Sequence, residues 1–115
     1  MVLKGKKGVP VVLLIEWDNP RDDERNKKRL EHEWEVSDPH WIKMVKEKDI
    51  KVDSSIWAEN TGHMYMWMKF ETMEDFAKMW NDERHQQIWA QWAKLRENIK
   101  NHLLRPEMTI PENVI

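Results

Sequence analysis

The feature that most constrains this fold is one segment, residues 63–70, that carries large side chains at every position. Methionines and a phenylalanine occupy its even positions, and His63, Tyr65 and Trp67 occupy odd ones. Successive side chains of a strand point to opposite faces of the sheet, so a strand here has two bulky faces. The run Val11–Ile15 is also apolar at odd and even positions, which is typical of a strand buried on both faces. A sheet that contains both segments must cover both of its faces.

Composition favours one globular domain. The 115 residues are 35% charged and 40% hydrophobic, with eight Trp and eight Met against one Tyr and two Phe, which argues against a disordered chain. The net charge of −2 gives no reason to expect a nucleic-acid partner. Because the chain has no Cys, disulfides, thiolate metal sites and Cys nucleophiles are excluded. We expect a single domain over residues 1–115, with residues 107–115 as an extended tail.

The N-terminal segment resembles a signal peptide but predicts a strand. Lys4, Lys6 and Lys7 precede the apolar run Val9–Ile15, as a basic region precedes the apolar core of a signal peptide. The run contains Pro10, and no small-residue cleavage site follows it. No segment approaches the roughly 18 apolar residues of a membrane span. We therefore expect a cytoplasmic protein without a membrane partner.

A highly charged helix is predicted after the first strand. Asn19 suits its N-cap, and the helix then runs over residues 20–36. Leu30 and Trp34, four residues apart, are its apolar anchors. Residues 37–39, Ser-Asp-Pro, predict a break before a short further helix.

The rest of the chain predicts a hairpin, helices and a final segment. Residues 50–57 alternate in polarity as a second strand, and a turn with Gly62 leads into the third strand over 63–70. Helical spacing follows Thr72 and resumes after Asn81-Asp82. The final segment, residues 98–104, fits either a helix or a strand.

This element order predicts the fold class. Strand, helix, two strands, helix and strand make an α+β, ferredoxin-like βαββαβ arrangement with an antiparallel sheet and helices on one face. The second face of that sheet would be a large exposed apolar patch in a monomer. We therefore expect a homodimer that pairs two sheets into a barrel.

Three short motifs carry a family resemblance. They are Met66-Trp67 with Phe70-Glu71-Thr72, then Asp82-Glu83-Arg84-His85-Gln86, then Asn101-His102-Leu103-Leu104-Arg105-Pro106 with Pro111 beyond. With these motifs, mainly over residues 63–111, the chain resembles the dimeric α+β-barrel superfamily, nearest to NIPSNAP-like and antibiotic-biosynthesis-monooxygenase-like domains. Arg84 and His102 depart from the residues usual in that family. The resemblance implies a strand at the final segment.

The resemblance also implies a site. Such domains keep an apolar pocket between sheet and helices, where they bind aromatic, polyketide-like, haem or lipid molecules. Some members oxidise these molecules without a bound cofactor. Because folds do not fix function, this remains an expectation for the present chain.

Three residues are candidates for catalysis. A neutral His63 or His85 suits a general base, and the Tyr65 hydroxyl suits a hydrogen-bond donor to an oxyanion. Each also has a structural interpretation: His63 and Tyr65 as core or dimer interface, and His85 as a surface residue.

Seven further residues are candidates for ligand binding: Trp17, His40, Trp41, Trp57, Met66, Trp67 and Met68. Methionine adapts to irregular apolar ligands, and Trp67 suits a platform for a ring. His40 and Trp41 fall in a predicted irregular segment that suits a lid, or Trp41 packs while His40 is exposed. We expect Trp34, Trp80 and Trp92, by their helical spacing, to lie in the core.

No metal or cofactor site is expected. His32-Glu33 begins like a zincin motif, but Val36 stands where the second His is needed. The three Gly are scattered, so no loop suits a phosphate. We expect binding of an apolar small molecule, fatty-acid-like or aromatic, with cofactor-independent monooxygenase or cyclase/isomerase chemistry as the enzymatic option. A non-catalytic ligand-binding or interaction module and a haem-binding or haem-degrading barrel stay open as alternatives.

Overall fold

The computed structural model describes residues 10–106, and these build a four-stranded antiparallel sheet with helices. The strands are β1 (Val11–Asp18), β2 (Val52–Ala58), β3 (His63–Phe70) and β4 (Glu97–Leu104). Their order across the sheet is β2-β3-β1-β4. The two segments that are apolar on both faces therefore form the central pair, with Leu13 opposite Met68 and Ile15 opposite Met66.

Within residues 10–106, four α-helices complete the α+β architecture. They are α1 (Asp23–His32), α2 (Asp38–Glu47), α3 (Met73–Trp80) and α4 (Glu83–Lys94). Helices α1 and α2 connect β1 to β2, and α3 and α4 connect β3 to β4. The predicted α+β class, the hairpin and the antiparallel sheet are confirmed, and the final segment is a strand.

One helix boundary differs from the sequence prediction. The predicted break at residues 37–39 is wrong, because a π-helical turn over Glu33–Ser37 joins α1 to α2 without interruption. Pro39 lies in the first turn of α2, directly after the π-helical turn. The predicted N-cap is also wrong: Asp22 caps α1, accepting from the Glu24 and Arg25 amides, while Asn19 accepts from Trp17 Nε1.

The two helix starts that follow β3 match the sequence signals. The Thr72 hydroxyl accepts the Asp75 amide at 3.1 Å and donates to the Asp75 carboxylate at 2.8 Å. The Asp82 carboxylate accepts the His85 amide at 2.7 Å and begins α4. These caps fix α3 and α4 relative to the end of β3.

The helices pack on one face of the sheet, which we call the helix-side face. It carries the odd-numbered residues of β1, all buried, and the even-numbered residues of β3. Met44 of α2, Met79 of α3 and Trp92 of α4 join these strand residues in one core. The other face, the open face, carries the even-numbered residues of β1 and the odd-numbered residues of β3.

Two of the three tryptophans expected in the core are exposed. Trp92 is buried, but Trp34 is 67% exposed and Trp80 is 55% exposed. Trp34 lies in the π-helical turn, whose wider spacing changes the direction of its side chains relative to a regular helix. Trp80 stacks on Phe76 with ring centroids 5.7 Å apart instead of entering the core.

Two predictions concern residues outside the part that the structure describes. The start of the apolar N-terminal run, Val9, and the expected extended tail from Glu107 both lie beyond residues 10–106. Within residues 10–106, no helix has the length and apolar character needed to cross a membrane.

Candidate functional site

A cavity of about 670 Å³ lies between the helix-side face of the sheet and helices α2, α3 and α4. This volume is within the range of about 300–1,000 Å³ that is usual for small-molecule sites. Three methionines and five tryptophans supply much of its apolar lining. The tryptophans are Trp17, Trp41, Trp80, Trp89 and Trp92.

The inner wall of the cavity is a rigid aromatic stack. Trp89 stacks on Trp92 with ring centroids 4.7 Å apart, and Trp17 meets Trp92 edge-on at 5.0 Å. The Arg96 guanidinium lies 3.8 Å from the Trp92 ring centroid. Such contacts combine apolar burial with favourable ring and cation–π electrostatics. The wall is therefore preformed.

Arg96 is a buried cation held by one carboxylate. It donates to Glu33 and, at 3.1 Å, to the Trp92 carbonyl oxygen. Arg29 also donates to Glu33, at 3.1 Å. Burial lowers the pKa of Arg96 to about 10, so the guanidinium is still charged at neutral pH. This ion pair ties the π-helical turn to the end of α4.

Two histidines meet at another side of the cavity. His85 Nδ1 of α4 lies 3.3 Å from His40 Nε2 of α2, and their rings stack with centroids 5.4 Å apart. The two residues are 45 positions apart in the sequence. Trp41 packs against His85 with centroids 6.0 Å apart. All three side chains line the cavity.

Burial keeps this histidine pair neutral. Desolvation, together with the neighbouring His40, lowers the pKa of His85 to about 4. Desolvation also lowers the pKa of His40 below its ordinary value. For the hydrogen bond between the two neutral rings to form, one of the two facing nitrogens carries the proton and the other accepts it. The two outer ring nitrogens are then one donor and one acceptor, so the pair can give and take a proton at once.

The π-helical turn supplies oxygen atoms to a further part of the cavity. Glu33, Ser37 and Asp38 all line it, at the turn and at the start of α2. Burial, and then the charge of Glu33, raise the pKa of Asp38. π-Helical turns are often found at functional sites because the extra residue redirects side chains.

The open face carries a separate polar network around His63. Its Nδ1 lies 2.8 Å from Asp18 and its Nε2 lies 3.0 Å from Glu16. Glu16 also contacts His102 Nε2, at 2.8 Å. Because ionised carboxylates only accept hydrogen bonds, both ring nitrogens of His63 must donate. The hydrogen bonds to Asp18 and Glu16 accordingly raise the pKa of His63, and because both of its ring nitrogens donate, neither is free to accept a proton from a ligand.

The remaining open-face candidates surround this network. The Tyr65 hydroxyl donates to Glu59, and this bond raises the pKa of Tyr65 to about 12. Trp57 is 65% exposed and Trp67 is 39% exposed. These side chains form a surface on the far side of the sheet from the cavity.

The structure thus divides the candidate residues between two faces. Six line the cavity: Trp17, His40, Trp41, Met66, Met68 and His85. Four lie on the open face: Trp57, His63, Tyr65 and Trp67. Alternate residues of β3 point to opposite faces, so Met66 and Met68 lie on the cavity side while His63, Tyr65 and Trp67 lie on the open face.

Sequence reasoning missed three residues of the site. Glu33 and Asp38 stand in a segment that gives no sequence signal for a π-helical turn. Arg96 follows α4 in a stretch rich in charge, where nothing marks one arginine as buried. Only a contact across 63 positions, Arg96 to Glu33, reveals their relation. Within the described residues, no group of three or more His, Asp and Glu side chains could hold a metal ion.

Comparison with known proteins gives a fold and no family. No family model matches the sequence, and no curated protein matches it. Among solved structures, a hydroxynitrile lyase from Passiflora edulis is similar, with a TM-score of 0.56 and 9% sequence identity. The match covers 89% of this chain and 97% of that chain. At that identity the likeness shows a shared fold, which is compatible with a dimeric α+β barrel.

Proposed function

We propose that this chain binds a ring-containing apolar small molecule in the helix-side cavity and moves a proton on that molecule. The observation that carries the proposal is the hydrogen-bonded pair of neutral histidines, His40 and His85, in a cavity walled by tryptophan and methionine. Indole rings bind flat apolar groups well, and methionine adapts its shape to them.

The chemistry follows from the two outer nitrogens of the pair. The accepting nitrogen takes a proton from an acidic carbon or hydroxyl of the ligand. The donating nitrogen returns a proton to another atom of the same ligand, so that the net change is an isomerisation or a cyclisation. The apolar wall has a low dielectric, which strengthens the electrostatic interactions between the histidines and the ligand during both proton transfers.

The similar solved structure supports placing small-molecule chemistry on this fold, since that protein is named as a lyase of hydroxynitriles. Oxygenation without a cofactor would use the same base and would consume dioxygen. Measuring turnover with and without dioxygen separates these two reaction types.

A test uses 2-tetralone, a two-ring ketone with acidic carbon-bound hydrogens. In deuterated buffer, NMR should show the wild-type protein accelerating the exchange of these hydrogens for deuterium. His40→Asn and His85→Asn should each reduce that rate at least tenfold. His63→Asn is the matched control and should keep it, since His63 lies on the open face. Loss of exchange only in His63→Asn would refute the assignment of the site.

We further propose that the fold is a ferredoxin-like barrel completed by a second copy of the chain. The strand order β2-β3-β1-β4 supports it, because each helical connection joins two strands that run in the same direction around an antiparallel one. The apolar residues of the open face that are partly or largely exposed support pairing across a two-fold axis. Val12, Leu14, Trp57, Trp67 and Leu104 are those residues.

A further inference from the structure

We propose that a carboxylate–histidine cluster on the open face is a pH-sensitive switch of assembly: two copies of the chain pair while His63 is protonated and separate when it loses that proton. The cluster consists of Glu16, Asp18, His63 and His102. This inference rests on the proposed barrel, in which a second copy covers the open face, and it adds the regulation of that interface.

The cluster joins three strands by a continuous chain of hydrogen bonds. Asp18 Oδ1 lies 2.8 Å from His63 Nδ1, and Glu16 Oε1 lies 3.0 Å from His63 Nε2. The second oxygen of Glu16 lies 2.8 Å from His102 Nε2, and the second oxygen of Asp18 accepts from Asn98 Nδ2 at 2.9 Å. His63 is therefore the residue that holds the two carboxylates together.

Loss of one proton from His63 breaks this chain. A protonated imidazole has two N–H donors, whereas a neutral imidazole has one N–H and one lone pair. In the neutral state, either Asp18 or Glu16 therefore faces a lone pair, and the two carboxylates lose the positive charge between them. The pKa of His63 is raised by its hydrogen bonds to Asp18 and then to Glu16, which agrees with this preference for the charged form.

The cluster borders the apolar surface that the second copy would cover. Leu14 of that surface lies opposite Trp67 on one side and opposite His102 on the other. Glu16 is the next residue of β1 on the same face. In the single chain the cluster is in contact with water, since the side chains of His63 and Glu16 are 23% and 22% exposed. A copy that covers Leu14 and Trp67 takes water away from the cluster.

Without that water, the protonation state of His63 decides the cost of pairing. Burying a carboxylate beside a hydrogen-bonded cation costs far less than burying it without one. The paired copies therefore hold the proton of His63 more tightly than the single chain does. Since a dimer contains two clusters, its dissociation constant should rise by up to about a hundredfold for each pH unit between the pKa of His63 in the single chain and its pKa in the dimer.

The neighbouring groups do not respond to pH in the same way. His102 binds Glu16 through one nitrogen, so a neutral His102 can still donate this hydrogen bond. Carboxylates and lysines ordinarily titrate outside the range from pH 6 to pH 9. The Tyr65 pKa of about 12 also lies outside it. Other titratable groups beside the cluster are Arg21, Glu59, Glu97 and Lys100.

Sedimentation equilibrium of the full chain at pH 6, 7.5 and 9 tests the switch. We expect the dissociation constant of the wild-type dimer to be at least tenfold larger at pH 9 than at pH 6. His63→Gln cannot be protonated and should remove this dependence. Asp18→Asn offers an amide N–H to a neutral His63, so its dimer should be as tight at pH 9 as at pH 6. Asp53→Asn, a matched change opposite Lys69 on the same face, should keep the wild-type dependence.

The outcomes separate the switch from the barrel. A wild-type dissociation constant that is equal at pH 6 and pH 9, or smaller at pH 9, would overturn the switch and leave the barrel intact. An Asp18→Asn dimer that loosens with pH as much as wild type would also overturn it. A chain that is monomeric at every pH would refute the barrel together with its switch. Circular dichroism at each pH distinguishes dissociation from unfolding.

Discussion

His85 couples the stability of the fold to pH at the scale of one residue. In the unfolded chain its pKa is near 6.5, and in the folded chain burial lowers that pKa to about 4. Between these values the unfolded chain binds more protons, so the folded state loses stability as the pH falls. Urea unfolding at pH 7, 5.5 and 4.5 should show that the free energy of unfolding falls more with decreasing pH for wild type than for His85→Phe.

His63 should change the stability of the fold with pH in the opposite direction to His85, and it serves as a control. Its pKa is raised in the folded chain, so its contribution to stability is fully present below about 6.5 and is lost as the pH rises through the raised value. His63→Gln should therefore be less stable than wild type at low pH, with the gap narrowing at high pH. Identical pH profiles for wild type and both variants would contradict the environments described for these histidines.

The buried ion pair between Arg96 and Glu33 should also contribute to stability. Glu33→Gln leaves the Arg96 cation buried without its carboxylate, so we expect the free energy of unfolding to fall by about 3–5 kcal/mol. The double variant Glu33→Gln with Arg96→Met removes the unpaired charge and should recover part of that loss. Urea denaturation of both variants measures these changes in the free energy of unfolding. A single variant as stable as wild type would show that Glu33 does not compensate Arg96.

The π-helical turn is the element on which the cavity depends. It holds one residue more per turn than an α-helix, and it brings both Glu33 and Asp38 to the cavity. Deleting the exposed Glu35 should convert it to a regular helical turn and rotate one of these side chains away. We expect circular dichroism to show an unchanged helix content, while calorimetry shows loss of 2-tetralone binding. Retained binding at wild-type affinity would mean that the turn does not position the site.

Most elements could be predicted from the sequence because their signals are local. The doubly apolar runs, the turn at Gly62 and the caps at Thr72 and Asp82 each depend on a few neighbouring residues. The join between α1 and α2 could not be predicted, since Ser37, Asp38 and Pro39 favour a helix start whether or not another helix precedes it. A π-helical turn has no comparable local signal.

The site could be predicted only in part, because its residues come together only when the helices pack on the sheet. Alternation along β3 separates Met66 from Trp67, but it does not tell which side faces the helices. That choice depends on α2, α3 and α4 together. The same holds for His40 and His85, which meet only once the helices are packed.

At the scale of the whole molecule, the open face makes a prediction about assembly. If a second copy covers it, Trp67→Glu places a charge in the interface and should convert the dimer to a 14.1 kDa monomer in sedimentation equilibrium. Trp34→Glu is the matched control, because Trp34 is exposed on the π-helical turn, and it should remain dimeric. A wild-type chain that sediments as a monomer at micromolar concentration would contradict the proposed barrel.

The proposed function places the ligand on the helix-side face of the sheet. Two adjacent residues of β2 test this placement, since Ser54 lies on the helix-side face and lines the cavity while Asp53 lies on the open face. Ser54→Trp would fill the cavity, and Asp53→Trp adds the same side chain to the other face. Calorimetry with 2-tetralone should show at least tenfold weaker binding to Ser54→Trp and wild-type affinity for Asp53→Trp. Binding lost in Asp53→Trp and kept in Ser54→Trp would place the ligand on the open face instead.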